Sequence, residues 1–400
     1  MDHETYVERL ATLAVEVGAD VQHDQIVALS YAPGMEPLAH AIATKAYQRG
    51  ARFVDPFVFD GAIKRARLEH ARDDTLDFVP EWYGHRLLAI GEAHAARIAI
   101  TPTPDPGMLA GVDPVRAGKD QLPALKELPV LIRARSTNWT IVPYPTPGWA
   151  AKVHPDLGER EALDRLRDQL AHILRLDEPD PADAWRRRGD ELIAAATRLN
   201  ERRFDALRFH GPGTDLTVGL FPSSSWVAAR QETAWGQTYY ANLPSEEIFT
   251  TPDPQRVEGT VTATKPLDVA GALVEGLRVR FEGGRAVEID ADSGAEVLRA
   301  RAARDEGASR LGEVALVDRA GRIAGSGSVF WHTLLDENAA SHIAIGQAYE
   351  NCVLDDGERE HVNRSTIHID FMIGSDEVEV TGLGVDGSEA PVLRSGEWQI

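Results

Sequence analysis

The sequence contains a single cysteine, Cys352, among 400 residues. One thiol cannot form an intrachain disulfide or supply a cysteine-based zinc cluster. Long apolar runs are absent as well: no stretch of about 18 apolar residues occurs, so we expect no transmembrane helix. The N-terminal segment MDHETYVERLATLAVEVG lacks a basic region followed by an apolar block, which argues against a secretory signal. These absences together predict a cytoplasmic protein.

Basic residues are outnumbered, since 42 lysines and arginines stand against 63 aspartates and glutamates, for a formal net charge of −21. A surface of that sign repels nucleic acid phosphates and anionic membranes, so we expect no nucleic acid and no membrane partner. The charge is compatible with binding divalent metals or cationic groups, or it serves solubility alone. With 43% hydrophobic residues, the chain can form one large domain or two.

Several signatures of common enzyme classes are missing. The sequence has no HExxH motif, no GxSxG motif and no Walker A loop. One pattern, formed by Gly382, Gly384 and Gly387 in GLGVDG, has the spacing of a dinucleotide fingerprint. Such a fingerprint must open a helix, whereas this one continues as Ser388-Glu-Ala-Pro391. We therefore predict a β-turn here, and a nucleotide-dependent enzyme is disfavoured.

The first half of the chain alternates between helical and strand-like patterns, which predicts βαβ units and an α/β N-terminal domain over residues 1–200. The proline-rich segment 140–160 is predicted to be an ordered loop, and a long helix from Ala184 to Phe204 could connect two domains. The predicted elements are helices at 3–17, 36–48, 81–94 and 159–175, strands at 25–30, 52–58 and 96–101, and a further helix and strand within 112–133.

From Ala206 onward the pattern changes to short alternating runs separated by glycine-rich turns such as Gly283-Gly284. Alternation of this kind is typical of antiparallel strands. Only Ala295 to Glu306 is clearly helical among them. We predict an α+β, mostly antiparallel β C-terminal domain over residues 201–400.

The most informative local segment is Arg364-Ser-Thr-Ile-His-Ile-Asp-Phe-Met-Ile373. Its period of two places His368 and Asp370 on the same face of a strand, with backbones about 7 Å apart. Burial of the carboxylate is costly unless it is paired or binds a metal. Both side chains can reach one dinuclear metal site; the alternative is that this face is exposed to solvent.

Three further segments place ionisable side chains among apolar neighbours. In an extended segment, Glu246 and Glu247 point in opposite directions, so that one can bind a metal while the other acts as a base or binds an amine; most such pairs are simply solvated. Glu313 lies inside a strand-like apolar run. His342 and Tyr349 are predicted to be buried, either on one face of a helix or in a short helix followed by a strand.

In combination, these segments resemble the aminopeptidase T and aminopeptidase S family (with aminopeptidase II) of thermophilic-type metalloproteases, over essentially the whole chain. The order of the segments is more specific than any one of them. The segments that carry the resemblance are Phe209-His-Gly-Pro-Gly-Thr-Asp-Leu-Thr-Val-Gly-Leu220, Asn242-Leu-Pro-Ser-Glu-Glu-Ile-Phe249, Leu311-Gly-Glu-Val-Ala-Leu316, Asn338-Ala-Ala-Ser-His342 with Tyr349, and His368-Ile-Asp370.

The resemblance implies a metal-dependent aminopeptidase with two divalent ions, and a homodimer around an enclosed cavity. Oxygen and imidazole ligands without thiolate suit zinc, cobalt or manganese. Peptides with a free N-terminus are the implied substrates, and Glu313 is the expected bridging ligand. The ligands implied by the resemblance are Glu247, Glu313, His342, His368 and Asp370, with Tyr349 beside the metals.

For the reaction, we expect Glu246 to be the general base, or alternatively to bind the substrate amine. Tyr349 is expected to stabilise the oxyanion, or alternatively to fix a metal ligand. Two other functions remain open on the sequence. A metal-dependent amidase acting on another acyl substrate would use identical ligands, and a non-catalytic small-molecule binding protein with structural carboxylates would bind no metal.

Overall fold

A computed structural model describes residues 1–101, 108, 109, 111–113, 116, 120, 125, 127–228, 230–269 and 272–400. The chain divides into two compact units. Unit 1 comprises Met1–Arg187 and Arg230–Pro244, and unit 2 comprises Arg188–Ala229 and Ser245–Ile400. Within the described residues, no helix is long and apolar enough to cross a membrane.

Unit 1 is built on a four-stranded parallel sheet of order β2-β1-β3-β4, as the βαβ pattern predicts. Helix α1 buries Tyr6, Leu10 and Leu13, whose spacing of four and three residues puts them on one face of the helix. The elements up to residue 202 are α1 His3–Leu13, β1 Ile26–Tyr31, α2 Glu36–Gln48, β2 Phe53–Val58, α3 Gly61–His70, α4 Glu81–Glu92, β3 Ala96–Thr101, α5 Leu128–Ala134, β4 Trp139–Pro143, α6 Pro147–Val153, α7 Glu159–Ile173 and α8 Pro181–Arg202, of which the residues from Arg188 onward belong to unit 2.

The proline-rich segment differs from the sequence-based prediction, because residues 140–160 are not one loop. They begin within β4, whose last residue is Pro143, and β4 is an edge strand, where proline is tolerated. They continue into α6, where Pro147 occupies the first turn and Thr146 caps the helix. Of the helix and strand predicted within 112–133, the structure has helix α5 from Leu128 onward; residues 114, 115, 117–119, 121–124 and 126 lie outside the described residues.

Two antiparallel sheets form most of unit 2. The larger has the order β15-β14-β11-β6-β5-β19-β20-β21, and the smaller has the order β18-β17-β16-β10-β7. The remaining elements of the chain are β5 Ala206–Gly211, β6 Thr214–Leu220, β7 Val227–Ala228, β8 Arg230–Glu232, β9 Thr238–Tyr240, β10 Glu247–Thr250, β11 Pro252–Thr262, β12 Leu267–Val269, β13 Ala272–Val274, β14 Arg278–Glu282, β15 Arg285–Asp290, α9 Ala295–Ala302, β16 Leu311–Val317, α10 Thr333–Glu337, β17 His342–Gly346, α11 Asp356–Arg359, β18 His368–Met372, β19 Glu379–Leu383, β20 Glu389–Arg394 and β21 Glu397–Trp398.

The glycine pattern GLGVDG forms the turn between β19 and β20, which pair antiparallel. The amide of Gly387 donates to the carbonyl of Gly384 over 3.0 Å. Gly387 has a φ of +79°, which favours glycine. The predicted β-turn is confirmed, and no helix follows it at which a nucleotide phosphate could bind.

The five-stranded sheet has β16 at its centre, and all seven residues of that strand are buried. Its register aligns Glu313 of β16 with Ala344 of β17, and Ala344 with Asp370 of β18. Since directly opposed residues project from the same face of a sheet, Glu313 and Asp370 share a face. The methyl group of Ala344 lies between them and leaves room for both carboxylates.

Candidate metal centre

The same face of the five-stranded sheet carries all five predicted ligands. Glu247 at the start of β10 is opposite Val317, which lies four residues beyond Glu313 on β16. His342 begins β17 and His368 begins β18, each two residues from a position aligned with Glu313. Because side chains alternate along a strand, even separations keep these residues on one face. The register thus brings together side chains that are up to 123 positions apart in the sequence, the separation between Glu247 and Asp370.

The five side chains form two groups that share one member. Glu247, Glu313 and His342 offer ligand atoms within 4.8 Å of one another, and so do Glu313, His368 and Asp370. Nε2 of His342 lies 3.1 Å from Oε2 of Glu247. Nε2 of His368 lies 3.1 Å from Oε2 of Glu313 and 3.2 Å from Oδ1 of Asp370. Glu313 is therefore the carboxylate common to both groups.

Backbone carbonyls fix the orientation of both imidazoles. Nδ1 of His342 lies 3.1 Å from the carbonyl oxygen of Ala340, and Nδ1 of His368 lies 2.7 Å from that of Gln347. A carbonyl only accepts hydrogen bonds, so Nδ1 must carry the proton in each ring. Each Nε2 consequently faces the carboxylates, in the arrangement that a histidine metal ligand adopts.

The pKa values reflect a buried cluster of mixed charge. Burial lowers the pKa of His342, but Glu247, Glu313 and Asp370 outweigh burial and raise it to about 10. For His368, the carboxylates likewise outweigh burial and hold its pKa well above the ordinary value. Burial raises the pKa of Glu313, whereas for Asp370 the two histidines overcome burial and lower the pKa. The carboxylates of this cluster thus strongly favour the binding of cations between them.

The donor set fits divalent metal ions. Oε2 of Glu247 is buried and has no hydrogen-bond donor within the described part of the chain, although Nε2 of His342 lies 3.1 Å away. A cation bound next to this oxygen would supply the partner that a buried carboxylate requires. Three carboxylates and two imidazoles, without a thiolate, are ligands that suit zinc, cobalt and manganese.

Glu246 and Glu247 contact different groups, as expected for neighbours in an extended segment. Glu246 is fully buried, and its Oε2 accepts a hydrogen bond of 2.5 Å from Nε of Arg188. The same guanidinium contacts Asp318, with Nη1 of Arg188 3.2 Å from Oδ2 of Asp318. The amide of Glu246 donates to the side-chain oxygen of Asn338 over 2.6 Å. This network holds the segment that leads into Glu247.

Tyr349 lies beside His368, with ring centroids 5.4 Å apart in an edge-on arrangement. Its other neighbour is Phe249, at a centroid distance of 5.2 Å. The residue is 41% exposed, so its ring is accessible from solvent. The charge of Glu313, followed by burial and the charge of Asp370, raises the pKa of the phenol well above its ordinary value. Tyr349 therefore remains a hydrogen-bond donor.

From the sequence, His342 and Tyr349 lie either on one face of a helix or in a short helix followed by a strand; the structure has the second arrangement. A short helix, α10, is followed by strand β17, which His342 begins, so the two residues do not share a helix face. The prediction that His342 is buried is confirmed, since it is 1% exposed. The prediction that Tyr349 is buried is wrong, because the residue follows the end of β17 and is 41% exposed.

Two residues of the site, Glu337 and Arg188, were not predicted from the sequence. Glu337 ends α10, and burial together with the charges of Asp370 and Glu247 raises the pKa of its carboxyl well above the ordinary value. A signal existed, because Glu337 lies in the acidic segment five residues before His342. Arg188 lies 58 residues from Glu246 on a helix with many other charged residues, and no local pattern singles it out.

Comparisons with known proteins identify similar proteins over nearly the whole chain. The profile of the thermophilic metalloprotease family M29 matches residues 3–398. Aminopeptidase T of Thermus aquaticus is 42% identical over 402 residues, covering 98% of each chain. Aminopeptidase PepS of Streptococcus thermophilus is 38% identical over 405 residues, also covering 98% of each chain. The solved structure of wild-type AmpT from Thermus thermophilus superimposes with a TM-score of 0.93 at 42% identity, over 100% of both chains.

The family match and the relatives cover the same span, from one end of the chain to the other. The resemblance inferred from the sequence segments is confirmed. The chain belongs to the thermophilic metalloprotease family M29.

Proposed function

We propose that this metal-dependent aminopeptidase uses two divalent ions, which share Glu313, to release N-terminal amino acids from peptides. The observation that carries the proposal is the presence of Glu313 in both groups of ligand atoms. Glu247 and His342 complete one site, and His368 and Asp370 complete the other. Zinc, cobalt and manganese all suit these ligands.

When bound, the ions supply Lewis acidity, which polarises the scissile carbonyl and makes the attacking water more acidic. Each ligand must be deprotonated for this, and the backbone bonds at Nδ1 of His342 and His368 keep Nε2 available. We assign Tyr349 to the oxyanion, because its phenol keeps its proton and its ring is accessible beside His368.

Glu246 is assigned as the general base that carries a proton from water to the leaving nitrogen. Arg188 gives this fully buried carboxylate a counter-charge, which offsets the cost of burying it. The alternative role of Glu246, binding the substrate amine, makes a different prediction. Glu246→Gln should keep its metal and lose turnover if the residue is the base, whereas loss of amine binding should appear mainly as a higher KM.

Metal content measured together with activity tests the proposal. Chelated protein should lose hydrolysis of Leu-p-nitroanilide and regain it when two equivalents of cobalt, zinc or manganese are restored. Saturation at one equivalent would contradict the dinuclear site but leave the family assignment intact. Unchanged activity after verified metal removal would contradict any metal-dependent mechanism.

The substrate class separates the remaining alternative, a metal-dependent amidase. A panel of peptides with free and acetylated N-termini, compared with simple amides, distinguishes the two, since an aminopeptidase requires the free amine. The non-catalytic alternative is set aside, because the relatives that match over 98% of their length are named aminopeptidases.

We further propose that the protein is a cytoplasmic homodimer and that residues 201–400 form its catalytic domain. Light scattering would test the dimer, and expression of residues 201–400 would test the domain.

A further inference from the structure

The side-chain hydroxyl of Thr251 forms hydrogen bonds with both the amide and the carbonyl of Tyr349. The Thr251 hydroxyl donates to the carbonyl oxygen of Tyr349 over 2.8 Å and accepts from the amide of Tyr349 over 3.2 Å. Thr251 is fully buried, so water does not compete for these bonds. A single side chain thus contacts the peptide groups on both sides of Tyr349; the carbonyl also accepts from the amide of Cys352 over 3.0 Å, whereas the Thr251 hydroxyl is the acceptor for the amide.

This restraint matters because Tyr349 belongs to no strand. β17 ends at Gly346, and Tyr349 is 41% exposed. Packing against Phe249 and His368 restricts the ring, yet the position of its Cα depends on the backbone bonds. Thr251 directly follows β10, the strand that begins with Glu247. The hydroxyl therefore ties the tyrosine to the strand that carries a predicted metal ligand.

We propose that Thr251 is a positioning residue for the reaction, which places the Tyr349 phenol where it donates to the oxyanion of the substrate. The inference rests on the function proposed above for Tyr349. Thr251 acts through the backbone of Tyr349 and is not itself a catalytic residue. A displacement of the phenol by a fraction of an ångström weakens a hydrogen bond made only in the transition state, so kcat falls while KM changes little.

The chain offers a matched control at the preceding residue. Thr250 is also fully buried, and its hydroxyl donates to the carbonyl oxygen of Ser225 over 2.9 Å. Thr250→Val removes a buried hydroxyl from the same segment without touching Tyr349. Thr251→Val removes the restraint at nearly constant volume, and Thr251→Ser keeps it. Thr251→Ala is a second variant without the hydroxyl, in case the valine at this position prevents folding.

The experiment measures kcat and KM on Leu-p-nitroanilide for the metal-loaded full-length variants, with metal content and thermal unfolding recorded for each. We expect kcat of Thr251→Val to fall about tenfold at unchanged KM and metal content. Thr251→Ser and Thr250→Val should stay within about twofold of the unmodified protein, since both leave the restraint on Tyr349 in place.

Tyr349→Phe completes a double-mutant cycle. If Thr251 acts through the phenol, Thr251→Val should lower kcat less than about twofold once the phenol is gone. An equal loss in both backgrounds, or an equal loss in Thr250→Val, would overturn the inference. If Tyr349→Phe lowers kcat but neither Thr251→Val nor Thr251→Ala does, the inference fails while the proposed role of Tyr349 stands. Full turnover in Tyr349→Phe would instead refute that role.

Discussion

Replacing Arg188 with methionine should destabilise unit 2 more than any change of a surface charge. Arg188 is 4% exposed and contacts Glu246 and Asp318, which are 0% and 8% exposed. Methionine fills a similar space but leaves both carboxylates buried without their counter-charge. Breaking a buried ion pair by removing one partner costs about 3–5 kcal/mol. For a cooperative unit of this size, that corresponds to a decrease in Tm of roughly 10 °C.

Differential scanning calorimetry on metal-loaded protein measures the effect, and the neighbouring arginine provides the control. Arg187 pairs with Asp183, and both side chains are more than half exposed, at 62% and 51%. Arg187→Met should change the free energy of unfolding by less than about 1 kcal/mol. The triple variant Arg188→Met, Glu246→Gln and Asp318→Asn should recover part of the lost stability, because no buried charge is then unpaired.

The result that would refute this reasoning is a Tm of Arg188→Met within about 2 °C of the unmodified protein, which would mean that the two carboxylates tolerate the loss of their counter-charge. A decrease of the same size in Arg187→Met would be equally damaging, since it would show that burial is irrelevant to the effect. Retained stability with lost activity would assign Arg188 to the reaction and not to the fold.

Three further predictions concern the metal centre. Metal binding at pH 8 should release the proton of His342, whose pKa is raised to about 10, and the raised pKa of His368 acts in the same direction; affinity should therefore fall as pH is lowered, as calorimetry in buffers of different ionisation enthalpy would reveal. Glu313→Gln should reduce bound metal at both sites and Asp370→Asn at only one, as elemental analysis would count; equal losses would contradict the shared ligand. Ala344→Leu should fill the space between Glu313 and Asp370 and abolish metal binding, which equilibrium dialysis would measure. An unchanged metal affinity would contradict the inference that the small side chain of Ala344 leaves room for the two carboxylates.

Periodicity predicted those parts of the structure that depend on neighbours in sequence. The alternation around His368 and Asp370 placed both side chains on one face of β18, where the structure has them. The βαβ pattern and the turn at Gly387 followed from the same kind of local rule. Each of these features is decided within a few residues, so no knowledge of tertiary contacts was needed.

Features that depend on strand register could not be predicted from local periodicity. Glu313 and Asp370 meet because both align with Ala344, and nothing in either segment specifies that partner. Glu247 and His342 gained their assignment from the family resemblance, and their role as ligands stays a prediction. β4 was missed because proline content suggested a loop, whereas an edge strand accommodates Pro143. The boundary of the catalytic domain at residue 200 is likewise still a prediction.

The tautomer of each of the two histidines is set by a main-chain carbonyl, that of Ala340 for His342 and that of Gln347 for His368. Every amino acid supplies a carbonyl, so substitutions at residues 340 and 347 preserve these two acceptors as long as the backbone keeps its path. The surroundings of the centre can therefore diverge in sequence without changing which nitrogen faces the carboxylates. For protein engineering, this means that pocket residues around the histidines can be varied for substrate preference while the imidazole geometry is inherited from the backbone.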